Sequence, residues 1–408
     1  MPIHSGLATE LSTSLSTSLR ATVVTDAAAF SLLREEWDRL LAESDQRVYF
    51  LGWSWNRLWW RIFRPRGSRL LIITCRDEQA RLVGLAPFYI RQRRTAGVPH
   101  VREVLFLGTG VYAQTSEYLD VVAKRGYERA VAESVADYLS KSKEWDRLWL
   151  KEVPSGSSVL PHLREALGPE AEVESCNRSH YIDTTTDWES FKQSLSRSTR
   201  KHLTRQTRRF FEAYDCRFRR VEREEELGQA MDALVRLHQA RWRSKGEPGS
   251  FSMPGIEELF REAARDGLRE GKLRLWALEL NGEIAAVRLA FFDNGAVHAI
   301  QGGFDPVYTK ESLGSVMLGM CIRDCIEDDR VREYDFMGGT DSYKDWWTKN
   351  GRETVTLTFL RSGVRSLAYS SIGRMKGVSK TVLKAIVPRS IRVAGHKIIE
   401  RRHYSRCI

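Results

Sequence analysis

The sequence predicts an α/β (α+β) fold built from two successive units, each a mixed, twisted sheet flanked by helices, and three observations carry that prediction. Strand-like runs alternate with amphipathic helical patterns through both halves of the chain. Neighbouring strand runs at 69–75 and 82–91, and again at 272–280 and 283–292, are joined by short turns, so part of each sheet is antiparallel. The chain has 408 residues, long for one domain and comfortable for two. The expected divisions are a disordered N-terminus over 1–20, a first unit over 21–178, a second over 179–361 and a basic tail over 362–408.

In the first half, residues 28–43 read as a helix, with Leu32, Leu33, Trp37, Leu40 and Leu41 on one stripe. Trp53, Trp55, Trp59 and Trp60 follow at helical spacing, which favours core packing over a ligand platform. Strands are expected at 69–75, 82–91 and 104–107, with the basic run Arg91–Arg94 at a solvated hairpin tip. A strand at 118–122, a helix at 128–141 and a strand at 147–151 complete the unit. Gly108-Thr109-Gly110 has the composition of a phosphate loop, but the strand–glycine–helix pattern is less complete there than in the second half. The first unit is therefore expected to be degenerate for cofactor binding and to shape a substrate cleft, with Tyr118, Asp120 and Lys151 as its polar contacts.

The second half opens with a basic helix over 191–214, carrying Arg197, Arg200, Lys201, Arg205, Arg208 and Arg209. A solvated face is the simplest reading of it, and a cleft for an anionic substrate the next. The aromatic interleaving of an RNA-binding surface is missing. Helices over 230–244 and 254–270 precede the hairpin that turns at Asn281-Gly282. A strand over 296–304 ends at Gly302-Gly303, and Ser312-Leu313-Gly314-Ser315 opens a helix running to Asp329. Short strands at 333–337 and 354–361 close the unit. Strand, small-residue loop and helix together form an anion site, because a helix N-terminus offers unpaired N–H groups and the positive end of its dipole.

Charge is concentrated at one end. Positions 361–408 hold 12 Lys and Arg against the single acid Glu400, which leaves 52 basic and 52 acidic residues elsewhere out of totals of 64 and 53. Leu367, Ile372, Met375, Val378, Val382 and Ile386 alternate with basic residues in this tail, a pattern suited to an anionic membrane surface or to docking on the body. The six cysteines are scattered without a C-x-x-C pair, and no histidine spacing suggests a metal, so none is expected. No leader pattern and no run of about 20 apolar residues is seen. The expected location is cytoplasmic, soluble or peripheral on the inner face of a membrane.

Several runs in order resemble a known family. They are Gly303-Phe304-Asp305-Pro306, Ser312-x-Gly314, Tyr334-Asp335-Phe336 and Gly339-x-Asp341-x-Tyr343-Lys344, with Leu237-His238-x-x-Arg241-Trp242 upstream. In the first half Trp37-Asp38-x-Leu40, Gly84-Leu85-Ala86-Pro87, Leu107-Gly108-Thr109-Gly110 and Tyr118-Leu119-Asp120 continue the likeness. Over 30–361 the chain resembles the GNAT-superfamily acetyltransferases of the cellulose-biosynthesis (CelD, BioF2-like) group, related to the FemAB-like aminoacyl transferases. Leu313 stands where that family often has proline, and Gly338 where it often has arginine.

The resemblance implies tandem GNAT-like units and an acyl-CoA-dependent N-acyltransferase, with acetyl-CoA or another acyl-CoA as co-substrate. The acceptor would be an amine, such as an amino sugar or lipid-linked intermediate of cell-surface polysaccharide synthesis. Gly303, Ser312, Leu313, Gly314 and Ser315 would hold the cofactor. Asp341 is the carboxylate best placed as base, His298 has a suitable ordinary pKa, Tyr343 would protonate the thiolate, and Lys344 would neutralise charge. Arg241, Trp242, Arg200 and Tyr118 are the substrate contacts. Two alternatives stay open: transfer from charged tRNA, and a non-catalytic accessory protein of a membrane-bound polysaccharide synthase.

Overall fold

The structure is a computed structural model that describes residues 19–95, 98–112, 115–339 and 342–362. Of the disordered N-terminus expected over 1–20, residues 1–18 lie outside the described residues, as does the basic tail from 363, whereas Arg20 is the first residue of a strand.

The first half runs β1 (Arg20–Val24), α1 (Ala27–Leu32), α2 (Arg34–Ala42), α3 (Trp53–Phe63), β2 (Arg69–Arg76), β3 (Leu82–Thr95), β4 (Val98–Phe106), β5 (Val122–Ala123), α4 (Glu128–Lys141), β6 (Arg147–Pro154), α5 (Leu160–Leu167) and β7 (Glu172–Asp183). The second runs α6 (Trp188–Ser194), α7 (Arg197–Ala213), β8 (Cys216–Arg220), α8 (Glu224–Ser244), α9 (Ile256–Arg269), β9 (Leu273–Leu280), β10 (Glu283–Asp293), β11 (Ala296–Phe304), α10 (Leu313–Glu327), β12 (Glu333–Asp335) and β13 (Gly351–Leu360).

The two halves repeat one plan. In the first, β1 to β4 form an antiparallel meander, and the chain crosses over through α4 to lay β6 parallel to β4. In the second, β8 to β11 form the meander, and α10 is the crossover that lays β12 parallel to β11. The last strands are exchanged: β13 pairs with β6 of the first half, and β7 pairs with β12 of the second. The sheet order is therefore β1-β2-β3-β4-β6-β13-β7-β12-β11-β10-β9-β8, symmetric about the β13–β7 pair, with β5 beside β3. The expected boundary at 178 falls inside β7.

Several elements differ from expectation for local reasons. The helix expected over 28–43 breaks at Leu33 into α1 and α2. The helix over 191–214 breaks at Leu195, because the Ser196 hydroxyl caps the Thr199 N–H and starts α7 afresh. Arg91 and Arg93 lie within β3 and reach the buried Glu103 on β4, as does Arg147 on β6. Burial pushes the Glu103 carboxyl up, but these three arginines outweigh it and hold the group below its usual range. Residues 118–121 are not strand, since Tyr118 takes a φ of 57°.

Trp55 and Trp59 are fully buried in the larger apolar core, which runs from α3 across to α8 and α9 of the second half. Tyr49 stacks on Phe291 of β10 with centroids 4.0 Å apart and donates to the Ala263 carbonyl. Truncating either tryptophan to Ala removes packing worth about 3–5 kcal/mol. A second core joins α6, α7 and α10 to the opposite face of β9 to β12, with Cys321 and Cys325 inside it.

Candidate functional site

β11 and β12 are paired only at Ala296–Glu333, Val297–Tyr334 and His298–Asp335. Beyond that point β11 continues to Phe304 beside β10, while the other arm leaves with the first unit. On that arm the Phe336 N–H bonds the His180 carbonyl and the Gly338 N–H bonds Glu117 Oε2 at 2.7 Å. A V-shaped opening results, with His298 and Asp335 at its crotch and the start of α10 near its far end. Pairing between β10 and β11 steps from Leu289–Gln301 to Ala290–Ala299, so Ile300 is an extra residue, a β-bulge that unpairs backbone groups along the V.

The matching parting of β4 and β6, paired only at Glu103–Arg147 and Val104–Leu148, is filled by the first unit's own chain. The Leu119 N–H bonds the Glu152 carbonyl, Tyr89 Oη bonds the Thr109 carbonyl, and Trp55 Nε1 bonds Ser116 Oγ. A Cβ at Gly108 would stand 2.5 Å from Ser116 Oγ, and one at Gly110 2.4 Å from Tyr89 Oη. These glycines make room for protein atoms.

That same loop delivers side chains to the crotch. Tyr118 Oη donates to Asp335 Oδ2 at 2.7 Å, and its ring centroid lies 6.1 Å from that of His298. Asp335 Oδ1 accepts the Met337 N–H at 2.6 Å. Arg352 lies over the rings of Tyr118 and Tyr181 and pairs with Glu333. Tyr118, Glu152 and Met337, all buried, hold φ values of 57°, 63° and 59°. Three non-glycine residues in this strained region, tied together by the bonds above, mark a place where geometry is over-determined.

Charge states follow from burial. Burial raises the Glu117 carboxyl to about 7, against the bonds from Gly338 and Ser179, and raises Asp120 to about 7 as well. Burial lowers the His298 imidazole, so it is neutral near pH 7. His298 Nδ1 has no hydrogen-bond partner among the described residues. Tyr118, Asp120, His298, Glu333 and Arg352 line a cleft of about 630 Å³ along the seam between the units.

Asp341 lies outside the described residues. Lys344 is buried, and its Nζ donates to the carbonyls of Met337 at 2.8 Å and Gly338 at 2.7 Å, locking the arm that meets Glu117. Tyr343 is half-buried with its ring 6.4 Å from Phe336. Gly303 lets the backbone of α8 approach β11, since a Cβ there would stand 2.3 Å from the His238 nitrogen. Gly314 faces the Phe304 ring, 2.8 Å from where its Cβ would be, and the Arg241 guanidinium lies over the same ring, 5.1 Å from its centroid. Ser312 sits at φ 65°, Leu313 is fully buried, and the Ser315 N–H bonds the Ser312 carbonyl. Trp242 packs beside His238 and under Lys245. Arg200 donates to the Gln193 carbonyl on α6–α7 and Lys151 lies over Trp149, so neither joins the other candidates.

The candidates thus fall into two groups: Arg241, Gly303 and Gly314 near the start of α10, and Tyr118 with His298 at the crotch. Glu117, Glu333 and Arg352 were not foreseen as site residues. Glu117 carries no motif signal except its place before Tyr118-Leu119-Asp120, and Arg352 and Glu333 become informative only once β13 and β12 are seen to flank β7.

Residues 197–345 match the family model described as an acetyltransferase (GNAT) domain. No curated protein matches the chain. Among solved structures, FemX superposes with a TM-score of 0.56 at 9% identity, covering 84% of this chain and 97% of that one. A conserved protein of unknown function from Bacteroides thetaiotaomicron VPI-5482 gives 0.51 at 12% identity, covering 83% and 100%. The C-terminal domain (DUF2156) of a putative lysylphosphatidylglycerol synthetase from Agrobacterium fabrum gives 0.50 at 11% identity, covering 84% and 96%. Among the described residues no helix is long and apolar enough to cross a membrane, and no three metal-ligating side chains are assembled. The fold is the GNAT acyltransferase fold, a twisted mixed sheet flanked by helices, in tandem.

Proposed function

From a chain with this fold, we propose an acyl-CoA-dependent N-acyltransferase whose second unit alone holds the donor. The observation that carries the reading is the contrast between the two V-shaped openings: the first is plugged by its own chain, the second parts from His298 onward. From His298 to Gly303 β11 extends ~17 Å at about 3.3 Å per residue, a span that an extended pantetheine arm fills. The pyrophosphate would then meet the N-terminus of α10 at Ser312–Ser315, where the helix dipole favours an anion, and the thioester would lie near the crotch.

There the acceptor nitrogen attacks the thioester carbonyl carbon and the C–S bond breaks. The proton leaving the amine goes to His298 Nδ1 and is passed on to the departing thiolate, and backbone N–H groups freed at the Ile300 bulge stabilise the oxyanion. Asp335 and Tyr118 hold the crotch, and Lys344 fixes the opposite arm. The narrower expectations, membership of the cellulose-biosynthesis group and an amino-sugar or lipid-linked acceptor, rest on the motif resemblance and belong to this proposal.

A second reading, transfer from charged tRNA, is favoured by α7, where Arg197, Lys201, Arg205 and Arg209 make no ion pair among the described residues and face solvent. The test is release of free thiol from acetyl-CoA against a panel of small amines. Acceptor-dependent release that is lost in His298→Ala supports the acyl-CoA reading. Absence of release with every amine, together with acyl transfer from charged tRNA, replaces it with the second.

A further inference from the structure

Arg288 is the single charged residue of β10 between Glu283 and Asp293, in a stretch whose other side chains are nearly all buried. It pairs with Gly302 of β11, and its side chain lies across that glycine: a Cβ there would stand 3.3 Å from Arg288 Cδ and 3.4 Å from Nη1. The next residue, Gly303, points its Cβ position at α8, so Gly302 and Arg288 lie on the opposite face, the one that α10 covers. From β11 the guanidinium reaches across the V. Its Nε donates to Tyr334 Oη of β12 at 3.1 Å, and the Tyr343 hydroxyl of the far arm is within hydrogen-bonding reach. Arg288, Gly302 and Tyr343 all keep accessible surface. A counter-charge is missing. Burial holds the Tyr334 phenol and the nearby Cys321 thiol in their neutral forms. Glu333 and Asp335 of β12 are engaged by Arg352 and by Tyr118 with the Met337 N–H, and Asp324 of α10 by Trp276 and Arg220. Among the described residues no carboxylate pairs with Arg288, so its charge is held away from water at a cost in stability.

We infer that Arg288 is the anion receptor of the V: the ligand that enters between β11 and the opposite arm presents a pair of anionic oxygens, carboxylate or phosphate, to its guanidinium. The inference rests on the acyl-CoA reading for the identity of that ligand. A guanidinium is a planar fork that matches two such oxygens at once, and the Tyr334 bond at Nε fixes the plane of this one. Away from bulk water the attraction is stronger than between surface charges. An acyl-CoA carries such oxygens in two places, its phosphates and any acyl group that ends in a second carboxylate. Acetylated pantetheine has neither and leaves Arg288 without its counter-charge.

S-acetylpantetheine, S-succinylpantetheine, acetyl-CoA and succinyl-CoA vary the two sources independently. Each is titrated by calorimetry into the full chain and into Arg288→Met. The expected result is a loss of at least tenfold in Arg288→Met, confined to the probes that carry the recognised anion: both succinyl compounds for an acyl carboxylate, both CoA thioesters for a phosphate. S-acetylpantetheine should bind the two proteins equally. Arg288→Lys keeps the charge without the fork and should weaken the same probes at least threefold, so it remains informative if Arg288→Met misfolds. Unchanged affinities for all four probes, or an equal loss for all four, overturn the inference and leave the donor reading standing. No binding of any probe to the parent overturns both.

Discussion

Gly303 offers a direct measure of how closely α8 must approach the strand that forms one wall of the V. A Cβ at this position would lie 2.3 Å from the His238 nitrogen, 2.7 Å from the Leu237 carbonyl carbon and 2.9 Å from the His238 Cα. All three are backbone atoms, so no side-chain rotation relieves the contact and the helix must move. Its neighbour Gly302 is the control: a Cβ there meets only the Arg288 side chain, at 3.3 and 3.4 Å, and the Val287 carbonyl at 3.4 Å. Overpacking a closed site costs about 1–3 kcal/mol, and a three-atom backbone clash places Gly303→Ala at the upper end, about 3 kcal/mol. Gly302→Ala should stay within about 1 kcal/mol of the parent, because its contacts can relax and the unfolded chain loses freedom. Urea denaturation followed by tryptophan fluorescence gives both values from one set of curves. Indistinguishable midpoints for the two variants would refute the close approach of α8 to β11.

Three further outcomes follow from the seam. Lys344→Met leaves two carbonyls without their buried ammonium donor and should cost about 3 kcal/mol in the same denaturation experiment. Glu117 has its folded pKa raised by burial to about 7 from a usual value of 4.5, so the protein is favoured below pH 4.5 and loses that stability as pH rises through 7. Glu117→Gln, which keeps an acceptor for the Gly338 N–H, should therefore gain about 1–3 kcal/mol relative to the parent at pH 8 and nothing at pH 4.5; a constant difference across that range contradicts the raised pKa. His298→Ala should lower kcat by about 10²–10⁴ while leaving the Kd for acetyl-CoA unchanged, and should flatten the rise of rate with pH; a loss confined to KM would assign His298 to binding alone.

What the sequence revealed depended on whether the deciding contacts were local. The β9–β10 hairpin was readable because Asn281-Gly282 specifies its turn, and Asn281 indeed takes a φ of 52°. β7 was not, because its residues Glu172-Val-Glu-Ser-Cys-Asn-Arg-Ser are largely polar and only Ser179 among them is buried, although the strand is central, held between β13 and β12 by backbone bonds. The strand exchange was equally hidden, since nothing in the sequence of β13 states which half it will join. Tyr118 and His298 were each singled out, yet for separate reasons; that they meet depends on the loop that plugs the first unit. Gly303 and Gly314 drew attention as glycines of a cofactor loop, and the structure shows a packing demand on each, from α8 and from the Phe304 ring. Glycine patterns report close approach, and only the fold says what approaches.

The central claim is that the second unit holds the acyl donor with its pyrophosphate at the start of α10. Calorimetric titration of acetyl-CoA into the full chain, beside Ser315→Ala and Ser315→Glu, tests it most directly. Glutamate in the first turn suits the helix dipole and preserves the fold, but it places a negative charge where the pyrophosphate must sit. The account predicts saturable binding to the parent and to Ser315→Ala, weakened at least tenfold, about 1.4 kcal/mol, in Ser315→Glu. No binding to the parent, or equal binding to all three proteins, would contradict it.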